Sequence, residues 1–356
     1  MVINNLSSLK DVMRAAQCDA ILITGIENIR YLTGFTGSSG VLLITDNGGI
    51  FFTDSRYTEQ AGKEVKGKVR IREYKKQVPE LSAAIIAARL KKVGFEDSDL
   101  TFQSYQELKK ELKGVKLVPL KDKLTLLRGV KSKGELRLIS SAVDIAYKAF
   151  EKLLPSVKSG KREEDLAVEL EYLMRKGGAE GLSFDVIVAS GARSALPHGR
   201  ASDKLLKTGD PVVIDFGARY KGYHSDETVT LFIGKASERL ARIYQIVKEA
   251  HDRAIDAVRP GVRFSDIDKA ARDFIDRAGY CKSFGHGTGH GVGLNVHEGP
   301  SISPNSKGVA EEGMVFTIEP GIYIPKVGGI RIEDMVVVTR DGCRVLTKIS
   351  KDMTIV

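Results

Sequence analysis

Apolar runs with strand character alternate with stretches of helical periodicity along the first third of the chain. Leu6, Leu9, Val12 and Met13 recur at helical spacing and predict a short amphipathic helix over 5–17. CDAILIT (18–24) follows as a buried strand. GVLLIT (40–45) and GIFFTDSRY (49–57), separated by Asp-Asn-Gly-Gly, predict a β-hairpin. KVRIREY (68–74) reads as a further strand, 79–91 as an Ala-rich helix, and VGFED (93–97) as a strand again. Strands alternating with helices predict a small α/β domain over residues 1–124. The segment YLTGFTGSSG (31–40) reads as a flexible loop; no Gly-Lys-Ser/Thr follows it and it does not open a helix, which makes a phosphate cradle the weaker reading.

Residues 115–139 read as a linker running into a new helix, and a second domain is expected over 125–356. Ser132 and Glu135 have capping-box spacing, and Ile139, Ala142, Ile145, Ala146 and Phe150 continue an apolar helical stripe. A second helix, 162–175, opens on acidic residues, which suit the positive end of the helix dipole. The strand FDVIVAS (184–190), the loop GARSALPHGRAS (191–202) and a hairpin over 211–230 come next. Helices over 238–258 and 265–278 follow, then a glycine-rich loop and the strands MVFTIEP, GIYIP and GGIRIEDMVVV. The larger domain thus runs helix, helix, strands twice over, an order that hints at internal duplication.

Composition narrows the class more than it decides function. A 356-residue chain with 42% apolar and 28% charged residues is that of a globular protein with room for two domains. No apolar run reaches the ~18–20 residues that would span a bilayer. The N-terminus lacks the pattern of an export signal, so the expected location is cytoplasmic, without membrane association. Cys18, Cys281 and Cys343 show no metal or disulfide spacing and read as reduced thiols. The net charge of +9 is spread thinly, densest over 63–76 and 109–133 with acids mixed in, and no nucleic-acid motif accompanies it. Nucleic acid is not an expected partner.

The chemistry gathers in the 211–230 hairpin. Asp215 follows the run Val212-Val213-Ile214, and Asp226 stands in Ser-Asp-Glu-Thr. A carboxylate buried in a sheet is costly unless something positive meets it, and two brought together repel. A cation between them is the simplest remedy. Downstream, His290 lies among glycines, which would let the backbone approach a ligand closely. Glu319 ends an apolar strand, and Glu333 stands two residues from Arg331, so that both would share one sheet face. Four carboxylates and one imidazole, with no thiolate, suit a pair of Mn²⁺, Co²⁺ or Fe²⁺ ions better than a structural zinc. Taken singly, each residue has a plainer reading: a turn-forming aspartate, a loop histidine for His198, a salt-bridge arginine for Arg331. His251 reads as structural or solvated, and Glu311-Glu312 as a solvated turn.

The order of these five groups, with HGTGHGVGLNVHEGP, TIEPGIY and GIRIED around them, resembles the pita-bread metallopeptidases of the creatinase/aminopeptidase P/prolidase family. ENIRYLTGFTGSSG and FTDSRY resemble that family's creatinase-like N-terminal domain, so the likeness spans almost the whole chain. The resemblance implies an α+β protein, a small α/β creatinase-like domain followed by a pita-bread domain. It implies two divalent ions, Mn²⁺ or Co²⁺ with Fe²⁺ or Zn²⁺ as alternatives. Asp215 would hold one ion, His290 and Glu319 the other, and Asp226 and Glu333 would bridge both. His198 matches the family histidine near the scissile bond, and His297 the one that steadies the tetrahedral intermediate. His286 and Arg331 match the substrate-side histidine and the arginine beside the last glutamate. Chemically, Glu319 can take the proton of the attacking water and deliver it to the departing proline nitrogen.

The implied activity is hydrolysis of the bond between an N-terminal residue and proline, on peptides with proline second, by water activated between the metal ions. Several prolidases carry an arginine shortly after the His-Glu-x-Pro motif; here Ser301 follows HEGP. That difference favours an Xaa-Pro aminopeptidase, with the Xaa-Pro dipeptidase (prolidase) as alternative. A metal-free creatinase-like hydrolase and a non-catalytic peptide-binding module are more distant, because such relatives lose metal ligands. The resemblance also implies a homodimer, in which the 31–40 loop would reach a neighbour's site.

Overall fold

The computed structural model describes residues 6–121 and 123–356. Contacts divide the chain into two compact units, Met1–Arg128 and Gly129–Val356. Among the described residues no helix is long and apolar enough to cross a membrane.

The first unit is built on a six-stranded mixed sheet in the order Val69–Glu73, Gly48–Thr53, Val41–Thr45, Ala20–Ile23, Lys92–Phe95, Lys116–Pro119. Its centre, AILI, is buried on both faces, as expected of a strand covered by helices on either side. Two separate apolar clusters, one around Leu9, Phe35 and Phe51 and the other around Leu22, Phe52 and Ile85, fill those faces. The first helix is Leu6–Ala16; the predicted start at residue 5 lies outside the described residues.

Several elements here depart from the sequence reading. The expected loop 31–40 begins inside a helix, Ile26–Thr33, which ends at Gly34 with φ +81°. That helix lacks a side-chain cap of its own. The buried Glu96 supplies one from another element: it accepts from the backbone N–H groups of Thr24 (2.6 Å) and Gly25 (2.7 Å) and from the Asn28 amide. Local sequence cannot reveal a cap delivered from 70 residues away. Helices Thr58–Glu64 and Phe102–Glu111 were likewise not foreseen, and the expected linker holds strand Lys116–Pro119 and helix Lys123–Leu127. All are short elements whose packing, not their periodicity, stabilises them.

The second unit repeats one plan. Helices Lys133–Leu153 and Glu163–Lys176 pack with Phe216, Val229 and Leu231 on one sheet. Helices Glu238–Ala257 and Phe264–Arg277 pack with Phe316, Ile318 and Val336 on another. The capping box predicted at Ser132 and Glu135 is present. The first sheet runs Thr354–Ile355, Glu227–Phe232, Pro211–Phe216, Ile187–Ser190; the second runs Glu298–Ile302, Gly289–Gly291, Val315–Ile318, Asp334–Val338, Cys343–Val345.

A predicted hairpin and a predicted strand are each interrupted, and each break matters to the site. The 211–230 hairpin is not closed by a short turn. Pro211–Phe216 pairs directly with Glu227–Phe232, but the chain between them leaves the sheet at Gly217 and forms Ala218–Tyr220 and Tyr223–His224. A Cβ at Gly217 would lie 1.9 Å from the Ser225 carbonyl oxygen, so only glycine allows the two arms to close there. GGIRIEDMVVV also splits: Gly328–Arg331 pairs with Gly321–Ile324, whereas Asp334–Val338 joins the second sheet. Ile332 and Glu333 stand at the crossing.

Candidate functional site

The strand ends around these breaks deliver a cluster of carboxylates and imidazoles. Asp226 immediately precedes Glu227–Phe232, Glu319 immediately follows Val315–Ile318, and Glu333 immediately precedes Asp334–Val338. His290 is the middle residue of the three-residue strand Gly289–Gly291. Ligand atoms of Asp226, His290 and Glu333 lie within 4.8 Å of one another. His290 Nε2 stands 3.6 Å from Asp226 Oδ2 and 3.4 Å from Glu319 Oε1. His290 Nδ1 is 3.2 Å from the Gly291 carbonyl, so with the proton on Nδ1 the Nε2 lone pair faces the two carboxylates.

Asp215 enters the cluster through Arg331. The guanidinium donates from Nη2 to Asp215 Oδ2 (2.5 Å), from Nη1 to Tyr323 Oη (3.0 Å) and the Pro197 carbonyl (2.9 Å), and from Nε to Thr228 Oγ1 (3.1 Å). Thr228 in turn donates to Glu333 Oε2 at 2.6 Å. Arg331 and Glu333 therefore meet through one threonine, across the point where the strand ends at Arg331. Asp215 Oδ1 remains buried with no hydrogen-bond partner, an acceptor aimed at nothing the chain supplies.

The electrostatics of the cluster are those of a cation site. Burial pushes the carboxyls of Asp226, Glu333 and Glu319 up, and neighbouring acids add to it: Glu333 and Asp215 at Asp226, Glu319 and Asp215 at Glu333, Asp215 at Glu319. Burial lowers His290, His286 and His297, so their neutral forms, with a free ring lone pair, are favoured. Burial opposes the charge on Arg331, but Tyr323 and Asp215 hold it firmly protonated. One guanidinium against four carboxylates leaves negative charge and an orphaned acceptor oxygen. This donor set fits divalent metal ions of the hard or borderline kind.

The three further histidines expected at the site stand in different settings. His286 Nε2 lies 3.0 Å from Tyr323 Oη, which links it to Arg331. The ring of His297 stands edge-on to His290, with centroids 4.2 Å apart. His198 is exposed on the loop after Gly191–Ala195, one residue beyond the Pro197 carbonyl that Arg331 holds. His251 is buried on the reverse side of the sheet, 3.1 Å from Asp334 Oδ2, in accord with its structural reading. Glu311 and Glu312 are exposed.

Sequence reasoning passed over Thr228, Thr317 and Tyr323. Thr317 Oγ1 accepts from the His290 N–H (3.1 Å) and donates to Glu319 Oε1 (3.3 Å). Thr228 and Thr317 each stand two residues from a predicted ligand, so strand alternation alone could have pointed to them. The glycines around His290 also act differently from expectation. A Cβ at Gly289 would fall 1.9 Å from the Thr317 carbonyl oxygen, and one at Gly291 would fall 2.2 Å from that of Gly299. They let neighbouring strands close on His290 and need no ligand to explain them. Gly289→Ala is accordingly expected to displace the His290 strand. Calorimetric titration with Mn²⁺ should show affinity reduced at least tenfold, and unchanged binding would refute the account.

Comparison with known proteins agrees with this architecture. The profile of metallopeptidase family M24 matches residues 137–340, and that of the creatinase/prolidase N-terminal domain matches 5–130. The chain is 43% identical to the uncharacterized peptidase YqhT of Bacillus subtilis (strain 168), over 98% of this chain and 99% of that one. Among solved structures, the Xaa-Pro dipeptidase from Bacillus anthracis superposes with a TM-score of 0.96 at 42% identity, covering 99% of both chains. The X-Pro aminopeptidase from Thermotoga maritima MSB8 superposes with a TM-score of 0.88 at 40% identity, covering 97% of this chain and 100% of the other.

Proposed function

The chain belongs to metallopeptidase family M24, with a creatinase/prolidase N-terminal domain, and from that premise we propose that it is an exopeptidase cleaving the bond between an N-terminal residue and proline. The observation that carries this reading is the convergence of Asp226, His290, Glu333 and Glu319 beside an Asp215 whose second oxygen has no partner. Asp215 on one side, His290 and Glu319 on the other, and Asp226 and Glu333 between would hold two divalent ions, with Mn²⁺ or Co²⁺ proposed ahead of Fe²⁺ or Zn²⁺. When bound, such ions supply Lewis acidity and make water nucleophilic near neutral pH.

The chain's own groups do the rest. Glu319 Oε1 receives the proton of the attacking water and passes it to the departing proline nitrogen, which has no hydrogen of its own in the peptide. His297 and His198 donate to the carbonyl oxygen as it gains negative charge. His286, fixed through Tyr323, and Arg331, fixed between Asp215 and Pro197, frame the substrate side. We assign residues 1–124 to the N-terminal domain and 125–356 to the catalytic domain, in a cytoplasmic homodimer.

How far the substrate extends past proline turns on who receives its carboxylate. Arg331 is already committed to Asp215, Lys131 is paired with Glu298 at 2.9 Å, and the exposed position 301 is serine. This favours an aminopeptidase acting on longer peptides. Similarity to the Bacillus anthracis Xaa-Pro dipeptidase favours a dipeptidase, that to the Thermotoga maritima X-Pro aminopeptidase an aminopeptidase. Metal-reconstituted protein is expected to hydrolyse Ala-Pro-Ala with a higher kcat/KM than Ala-Pro, and to fall to background after chelation. A marked preference for Ala-Pro would establish the dipeptidase instead; turnover unaffected by chelation would refute both.

A further inference from the structure

The loop that carries His198 is closed at its base by one buried carboxylate. Glu163, the first residue of helix Glu163–Lys176, is fully buried. Its acidic character is expected from the helix dipole, but its contacts lie elsewhere. Oε1 accepts from the Ser190 backbone N–H (2.7 Å) and Ser190 Oγ (2.7 Å). Oε2 accepts from Arg193 Nε (3.1 Å), the Ser202 backbone N–H (3.2 Å) and Ser202 Oγ (2.7 Å). Five donors thus converge on one side chain. Ser190 and Ser202 flank the segment 191–201, and His198 lies inside it.

Other bonds complete the closure. Arg193 also donates to the Arg200 carbonyl, across the loop. Lys204 Nζ donates to Ser190 Oγ (2.7 Å) and pairs with Asp210 (2.6 Å), so the charges of Glu163, Arg193, Lys204 and Asp210 balance. Farther along, the loop is held by Arg331 at the Pro197 carbonyl and by the Gly329 N–H, which donates to Ser194 Oγ at 2.7 Å. The segment is therefore fixed at its base by Glu163 and near its tip by an arginine of the candidate metal site.

We propose that Glu163 is a positioning residue for the reaction: by clamping both ends of the 191–201 loop it sets where His198 stands relative to the scissile bond. The inference rests on the reading of His198 as a substrate-side group. A carboxylate is required because two backbone N–H groups and a guanidinium point at its oxygens, and none of these can reverse its polarity. An amide in its place turns one acceptor into a donor facing another donor. A displacement of about 1 Å at a group that contacts the reacting bond is enough to cost as much as 10²-fold in rate.

A double-mutant cycle on the full-length, Co²⁺-loaded protein tests this. Glu163→Gln is expected to lower kcat/KM on Ala-Pro-Ala by about 10- to 100-fold, with cobalt content and the cobalt absorption spectrum unchanged. In a His198→Ala background the same substitution should cost less than about twofold, because the group being positioned is gone. Hydrogen exchange of amides in 191–201 should accelerate at least tenfold in Glu163→Gln while helix amides in 163–176 keep their protection. An undiminished loss in the His198→Ala background, or unchanged exchange in the loop, would overturn the inference and leave the proposed activity standing. Full activity in His198→Ala alone would instead overturn the role given to His198, and the inference with it. If Glu163→Gln does not accumulate as folded protein, Ser202→Ala removes one of the five donors and is read in the same cycle, with a smaller loss of the same pattern expected.

Discussion

Glu319→Ala is expected to lower turnover on Ala-Pro-Ala by at least about 10²-fold, the scale of a lost general base, in a protein that remains folded. Glu319 stands at the end of its strand with its backbone N–H bonded to the Thr288 carbonyl at 2.7 Å, so the side chain is presented rather than packed. Burial pushes its carboxyl up, which brings a general base closer to the working pH. Asp226→Ala should cost at least as much, for another reason: it removes the carboxylate proposed to touch both ions. Steady-state kcat, metal content by atomic spectroscopy and thermal unfolding together separate the two: Asp226→Ala should lower the content of both ions, Glu319→Ala mainly that of the ion proposed to be shared with His290. Near-normal turnover in either variant would refute the roles assigned here.

The second large effect concerns stability. Asp226 and Glu333 face the site, and their neighbours Glu227 and Asp334 face the opposite side of the same strands, where both are buried. There Lys351, from the C-terminal segment, stands 2.5 Å from Glu227 Oε1 and 3.3 Å from Asp334 Oδ1, and Thr347 donates to Asp334. The segment is knitted in by Thr354–Ile355, which lies parallel to Glu227–Phe232. Lys351→Met leaves two buried carboxylates without their ammonium and is expected to destabilise the protein by about 3–5 kcal/mol. Burial already pushes the Glu227 carboxyl up to about 7 with Lys351 in place. Without it the folded value rises further, while the unfolded chain keeps about 4.3. The folded variant then retains a proton that the unfolded chain releases, so its penalty should grow as pH rises from 6 to 8. Urea unfolding at both pH values measures this. A variant as stable as the parent at pH 8 would show that the charge of Lys351 does not matter.

Partners brought from distant parts of the chain explain why single-residue arguments reached only part of the site. Asp215 was expected to need a cation, and it has one in Arg331, a neighbour 116 positions away, which still leaves Oδ1 unmet. Glu163 was read through the helix that it begins, yet its five donors all come from 190–202. The cap on helix Ile26–Thr33 comes from Glu96, and no spacing near that helix announces it.

From the sequence alone came the alternation of strands and helices, the doubled order of the larger unit, the Ser132–Glu135 cap and the identity of the acidic and imidazole groups. These are local properties: side-chain periodicity, capping chemistry and residue type act within a few positions of where they are written. Tertiary structure alone decided where the 211–230 and 328–338 segments break, which strand ends meet, and that Thr228, Arg331 and Glu163 tie the pieces together. Those outcomes depend on close approach between segments that are not neighbours along the chain: Gly217 closes on Ser225 and Gly289 on Thr317, while Arg331 reaches Asp215 across 116 positions. They are settled by packing and by the need to satisfy buried charge, neither of which has a period along the chain.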